Sequence, residues 1–340
     1  MIAKRWIGSG AMAALLSGCA PIEMDRAPAA SNATGALFVA GKFGNTLARI
    51  DLASGRETAR VASCTNPHEL ATSPDGAYVA LACYGGTSLD IFRTDDLAKV
   101  RSIELGENAR PHGIVWHPNG DLYATAEGRQ SIFWVKDPLD KAETFEYGSG
   151  QQGTHMLVVS PDARHAWTTD LGSKTVTRID LLTKRAPQSV EVGVEPEGIA
   201  LAPDGRTLYV SARGSDEVYA ITPQSLEVRR TIRVGQFPLR IAVRPQGDFA
   251  VTSDLEDRAL TVIDLARGAV VRQIAVSSPE EAQERFQVTI LWSPDGERIY
   301  VAETGTDTIA EVDFATGEVL RRLSGGDGGD GLAILGGGDG

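Results

Sequence analysis

The sequence lacks most of the common chemical signatures. It has no run of Lys and Arg and its net charge is −12, so nucleic acid and anionic membrane surfaces are not expected partners. No Gly-x-Ser-x-Gly elbow, phosphate-binding loop or dinucleotide fingerprint stands in a strand-to-helix context, which leaves a serine hydrolase without support. Beyond residue 16 no segment is long and apolar enough to span a bilayer. Aromatic residues are few, at 6%, and there are only three cysteines. What is plentiful is glycine, with 37 residues, among many short apolar runs in a chain that is 42% apolar. That is the composition of turn-rich β architecture, in a chain long enough for a sizeable core.

The N-terminus reads as a targeting segment. Lys4 and Arg5 precede an apolar stretch from Trp6 to Leu16, too short for a permanent anchor. It ends in Leu16-Ser17-Gly18-Cys19, which resembles the bacterial lipobox. That resemblance implies a signal peptide over 1–18 and a lipid on the Cys19 thiol; the alternative is an ordinary signal peptide with an incidental Cys. Residue 20 is Ala, not Asp, which by the usual sorting rule implies the outer membrane, facing the periplasm. Residues 19–35, rich in Ala, Pro, Ser and Asn, read as a flexible tether. The body is expected to be a soluble monomer that meets the membrane only through its lipid.

The rest is a repeat. Ser73-Pro74-Asp75-Gly76 has counterparts whose prolines are Pro118, Pro161, Pro203, Pro245 and Pro294. Each unit places a short buried strand before this turn and three more strands after it, as in Glu197–Leu201, Thr207–Ala212, Val218–Ile221 and Val228–Val234. Four short strands in about 42 residues make one propeller blade. The longer last step contains an acidic insertion, about Ser277 to Arg285, expected to be a loop. At the N-terminus, Leu37–Ala40 matches a second strand and has no first strand before it. The missing one reappears as Gly331–Leu335, so the expected fold is an all-β, seven-bladed propeller over 36–335, closed by strands from both chain ends. Residues 336–340 form a Gly-rich tail.

The stretch Pro196 to Ile221, PEGIALAPDGRTLYVSARGSDEVYAI, resembles the YVTN, or YncE-like, propeller repeat family. The resemblance covers about residues 36–335 and implies a fold without a single chemistry.

In such a blade the residues entering the innermost strand ring one mouth of the channel. Six residues before each marker proline stand His68, His112, His155, Glu197, Leu239 and Val288, with Asp330 from the split blade. Three of the five histidines thus share one position on successive blades. The ends of the second strands add Cys83, Asp170, Asp254 and Glu303, with Glu127 and Arg213 one residue further on and Arg240 after Leu239. The imidazoles suit a Zn, Cu, Fe or Mn ion with an open position, with Glu197 or Glu127 as general base and Arg213 or Arg240 orienting an anionic substrate. The plainer alternative is that Pro-His-Gly is a habit of the family's strand entry. Cys64 and Cys83 are expected to meet at this mouth as a disulfide, the alternative being a thiolate ligand. Three functions remain open: a module binding a small molecule, metal ion or protein partner; a metal-dependent lyase, lactonase or oxidase; and an envelope scaffold.

Overall fold

A computed structural model describes residues 33–183 and 185–336; the signal segment, Cys19, most of the tether and the last four residues lie outside the described residues. Among the described residues, twenty-eight strands run from β1 (Gly35–Gly41) to β28 (Gly329–Gly336). They form seven four-stranded antiparallel sheets. Six sheets take their strands in sequence order, innermost to outermost. The seventh places β28 inside β1, so the two chain ends close the ring within one blade. We number that shared blade 1; blades 2 to 7 begin at Pro67, Pro111, Thr154, Pro196, Pro238 and Gln287.

Strand alternation explains why the blades stack. Each middle strand is buried on both faces, as in Tyr78–Cys83 and Leu122–Ala126, because each face meets a neighbouring blade. The core is therefore a set of apolar seams between blades. One seam packs Leu89 and Ile91 of blade 2 against Ile114, Trp116 and Leu122 of blade 3. The fourth strands form the rim and alternate exposed with half-buried residues, as in Arg56–Ala62.

The insertion before blade 7 departs from expectation. It is not a plain loop but contains a helix, α1 (Pro279–Arg285). The physical reason is a capping box. Ser278 Oγ accepts from the backbone N–H of Glu281, and the Glu281 carboxylate accepts from that of Ser278. Pro279 at the first helical turn completes the signal.

β1 starts on the face of the Pro-Asp-Gly turns, and β28 ends there. The opposite face carries the strand entries and hence the channel mouth.

Candidate acid–base site at the channel mouth

The mouth is built by a backbone device repeated in every blade. Two residues before each ring position stands a residue with left-handed backbone: Asn66 (φ 51°), Arg110 (49°), Gly153 (70°), Glu195 (53°), Phe237 (58°), Phe286 (48°) and Gly328 (68°). Five of these are not glycine, a conformation costing about 1–2 kcal/mol each. In each of blades 2 to 7 the register of the innermost strand then shifts at the ring residue, for example between Pro67 and Leu70. Such bulges re-aim side chains. Here they turn the ring residues into the channel. The following glycine has a separate cause: a Cβ on Gly331 would lie 1.8 Å from the carbonyl oxygen of His68 in the next blade, and one on Gly113 would lie 3.0 Å from that of His155.

The three histidines do come together. Ring centroids are 4.8 Å apart for His68 and His112 and 3.8 Å for His112 and His155. The ring of Tyr84 closes the outer side of this stack, 4.4 Å from His68 and edge-on to His112. His155 is held from one side by Glu127, whose Oε2 accepts from Nδ1 at 3.3 Å. Its Nε2 faces Glu197 Oε1 at 3.6 Å, beyond hydrogen-bond range. Glu197 also accepts from Arg240 at 2.6 Å and from Arg213. Arg240 then reaches across the channel to Glu69 Oε1 at 2.9 Å, so one guanidinium ties blade 6 to blades 5 and 2. Asp330 joins through Lys42, at 3.1 Å, and stands 4.0 Å from His68 Nε2.

These contacts divide the imidazoles electrically. Burial alone would lower the pKa of His155, but Glu127 and Glu197 raise it above the ordinary value. Burial also opposes ionisation of Glu197, yet His155, Arg240 and Arg213 hold its pKa down to about 2. Among the described residues no carboxylate pairs with His112, and burial with neighbouring positive charge drives it well below the usual value. His68 falls to about 4, through burial and then the Lys42 charge. Two stacked imidazoles are therefore pushed in opposite directions by their surroundings.

Other expected mouth residues do not join. Asp170, Asp254 and Glu303 are fully buried within their own blades. Asp170 accepts from Thr154, Thr168, Thr175 and Thr177; Asp254 accepts from Thr261; Glu303 accepts from Arg322, Arg285 and Thr308. Alternation is the reason: the next residue, as with Glu127 and Arg213, points the other way. Cys83 is joined to Cys64 as a disulfide with Cα atoms 5.6 Å apart, so neither is a thiolate ligand here. Glu69, Tyr84, Arg110 and Lys42 belong to the mouth and were not anticipated. Tyr84 occupies the same blade position as Glu127 and Arg213, and that was the available signal.

The trio is stacked rather than convergent. His68 Nδ1 donates to the carbonyl of Asn66 at 3.0 Å, and His155 Nδ1 is taken by Glu127. Among the described residues the one His/Cys/Asp/Glu trio with ligand atoms mutually within 4.8 Å is Cys64, Cys83 and Asp90, two of which form the disulfide. The buried His112 Nδ1 and His155 Nε2 have no hydrogen-bond partner among the described residues.

Comparison with known proteins places the chain in a family. The family described as "Lactonase, 7-bladed beta-propeller" matches residues 48–269. The chain belongs to it. Among solved structures, the lactonase-family propeller described here is similar to a streptogramin B lyase, at 14% identity over 88% of this chain and 90% of that one, with a TM-score of 0.68. A catalytically inactive virginiamycin B lyase from Staphylococcus aureus with quinupristin shares 16% identity over 83% and 96%, with a TM-score of 0.67. A functionally unknown protein from Desulfotomaculum acetoxidans shares 17% over 73% and 84%, with a TM-score of 0.59. At these identities the likeness is one of fold. No curated protein sequence matches the chain.

Proposed function

We propose that the channel mouth binds a small ligand and acts on it by general acid–base catalysis, of the kind that opens or closes a lactone ring. The observation that carries this is the His112–His155 pair, two imidazoles with centroids 3.8 Å apart whose surroundings push their pKa values in opposite directions. Environments that separate two titrating neighbours assign an acid and a base. In lactone hydrolysis, neutral His112 takes a proton from the attacking water as it adds to the carbonyl. The His155 imidazolium gives a proton to the ring oxygen as its bond to the acyl carbon breaks. Glu127 fixes the orientation of His155, and Glu197 sustains its charge. The family name supports this class of chemistry. Arg213 and Arg240 act by holding Glu197 rather than the substrate, since both face protein carboxylates.

A panel of five- and six-membered lactones tests it, assayed by acid release with the wild type, His155→Gln and His112→Gln. Either change should cost about 10²-fold or more in kcat on the substrate that is turned over. No turnover of any lactone or hydroxy acid, or full activity in both variants, refutes it. A second reading is a metal ion on His68, His112 and His155, supported by the two partnerless nitrogens. Metal analysis of protein from its native compartment decides that question: stoichiometric metal lost in each His→Ala variant favours the ion.

We further propose that Cys19 carries the lipid. Loss of the protein from the membrane fraction on Cys19→Ser is the expected result.

A further inference from the structure

Every other cation at the mouth faces a carboxylate. Arg240 meets Glu69 and Glu197, Arg213 meets Glu195 and Glu197, and Lys42 meets Asp330. Arg110 meets none. Its guanidinium lies over the ring of Tyr84, 4.5 Å from the centroid, and donates to the Tyr84 hydroxyl. The Tyr84 hydroxyl in turn donates to Glu127 Oε1 at 3.3 Å. The backbone of Arg110 is pinned as well. Its N–H donates to the Gly86 carbonyl at 3.3 Å, and its carbonyl accepts from Glu127 N–H at 3.2 Å. Its φ of 49° is one that an arginine adopts only when neighbours impose it.

We propose that Arg110, stacked on Tyr84, is the subsite that receives a carboxylate of the ligand. The guanidinium is at the rim and exposed, while its plane is fixed in advance by the aromatic face. A fixed guanidinium presents a fork that matches the two oxygens of a carboxylate. The single positive charge of Arg110 also matches the single negative charge of a carboxylate. A phosphate dianion would call for a second free cation, and the neighbouring ones are engaged. The subsite stands at a set distance from the chemistry. The Tyr84 centroid is 4.5 Å from the guanidinium carbon and 5.4 Å from the His112 centroid, so cation and imidazole lie within about 10 Å. The ligand class is therefore a small carboxylic acid whose reacting carbonyl or hydroxyl is a few bonds from the carboxylate. This rests on the acid–base reading of the mouth.

The test is calorimetric titration of the full chain with glutarate, its neutral diamide and inorganic phosphate. Wild type, Arg110→Met and His155→Gln are compared, with Arg110→Lys as the charge-conserving variant. Arg110→Met should weaken glutarate at least tenfold and leave the diamide unchanged, with Arg110→Lys in between. Melting temperatures of the Arg110 variants should match wild type, since the side chain is exposed. If glutarate is weakened in His155→Gln but not in Arg110→Met, the mouth reading stands and the subsite is wrong. Glutarate failing to bind wild type, or phosphate binding more tightly than glutarate, also overturns the carboxylate assignment.

Discussion

Arg240 offers the sharpest test of how the mouth is held together. Its side chain is buried and bridges Glu69 of blade 2 and Glu197 of blade 5 from blade 6. Glu197 keeps Arg213 and His155 if Arg240 is lost. Glu69 keeps no ion pair among the described residues, only the weaker influence of His155, and its pKa is already raised by burial, with Arg240 as the main opposing influence. Changing Arg240 to Met preserves much of the volume and strands the Glu69 charge. Breaking a buried pair from one side costs about 3–5 kcal/mol, most of it the penalty of the abandoned charge. The pH dependence has a definite sign. Without Arg240 the folded-state pKa of Glu69 moves further above its unfolded value, so the folded variant binds the extra proton more readily than the unfolded chain. Stability is then retained at low pH and lost as pH rises through the folded pKa. Urea unfolding, followed by tryptophan fluorescence, should show a deficit of about 3–5 kcal/mol at pH 7 and a smaller one at pH 5. Adding Glu69→Gln to Arg240→Met should recover most of it, and the double-mutant cycle should return a large coupling. A variant within about 1 kcal/mol of wild type at pH 7, or a double variant no more stable than the single one, refutes the cross-channel tie.

Three further outcomes follow from particular residues. Burial pushes the Asp170 carboxyl up to about 6, despite four threonine hydroxyls around it. Its folded pKa exceeds the unfolded one, so its contribution to stability falls by about 3 kcal/mol as pH climbs from about 4 to about 6; the stability difference between wild type and Asp170→Asn should show that slope, and a flat difference refutes it. The Cys64–Cys83 bond closes a separation of 19 residues, and chain entropy puts its contribution at about 3 kcal/mol, to be read from the unfolding midpoint of the Cys64→Ala, Cys83→Ala double variant against wild type. Gly331→Ala should destabilise the ring closure by several times the effect of Gly148→Ala, because a Cβ at 331 meets the His68 carbonyl and one at 148 meets nothing within 4 Å; equal effects on the melting temperature contradict that packing.

The repeat made the fold legible, because a blade cannot bury its two faces alone and each repeat must therefore carry the same strand-turn-strand grammar. The half-repeats at the two ends fixed the count at seven, and β28 paired with β1 is that same closure. The site was legible only as far as counting equivalent positions along the repeats reaches. That reasoning found the ring residues, and it failed in both directions. It admitted Asp170, Asp254 and Glu303, whose side chains turn into the blade from the last regular position of the second strand. It passed over Glu69, which alternation would set facing away from His68. The bulge at blade entry lets both neighbours serve the channel, His68 in the imidazole stack and Glu69 as the anchor for Arg240. The same holds for Arg110, whose left-handed backbone has no signature in an arginine side chain. A bulge is invisible in one repeat, but the entry recurs seven times, and glycine stands at the left-handed position in two of them, Gly153 and Gly328. Reading that column down the repeats, rather than each blade along its length, is what would have marked Asn66, Arg110, Glu195, Phe237 and Phe286 as sites of unusual backbone beside the channel.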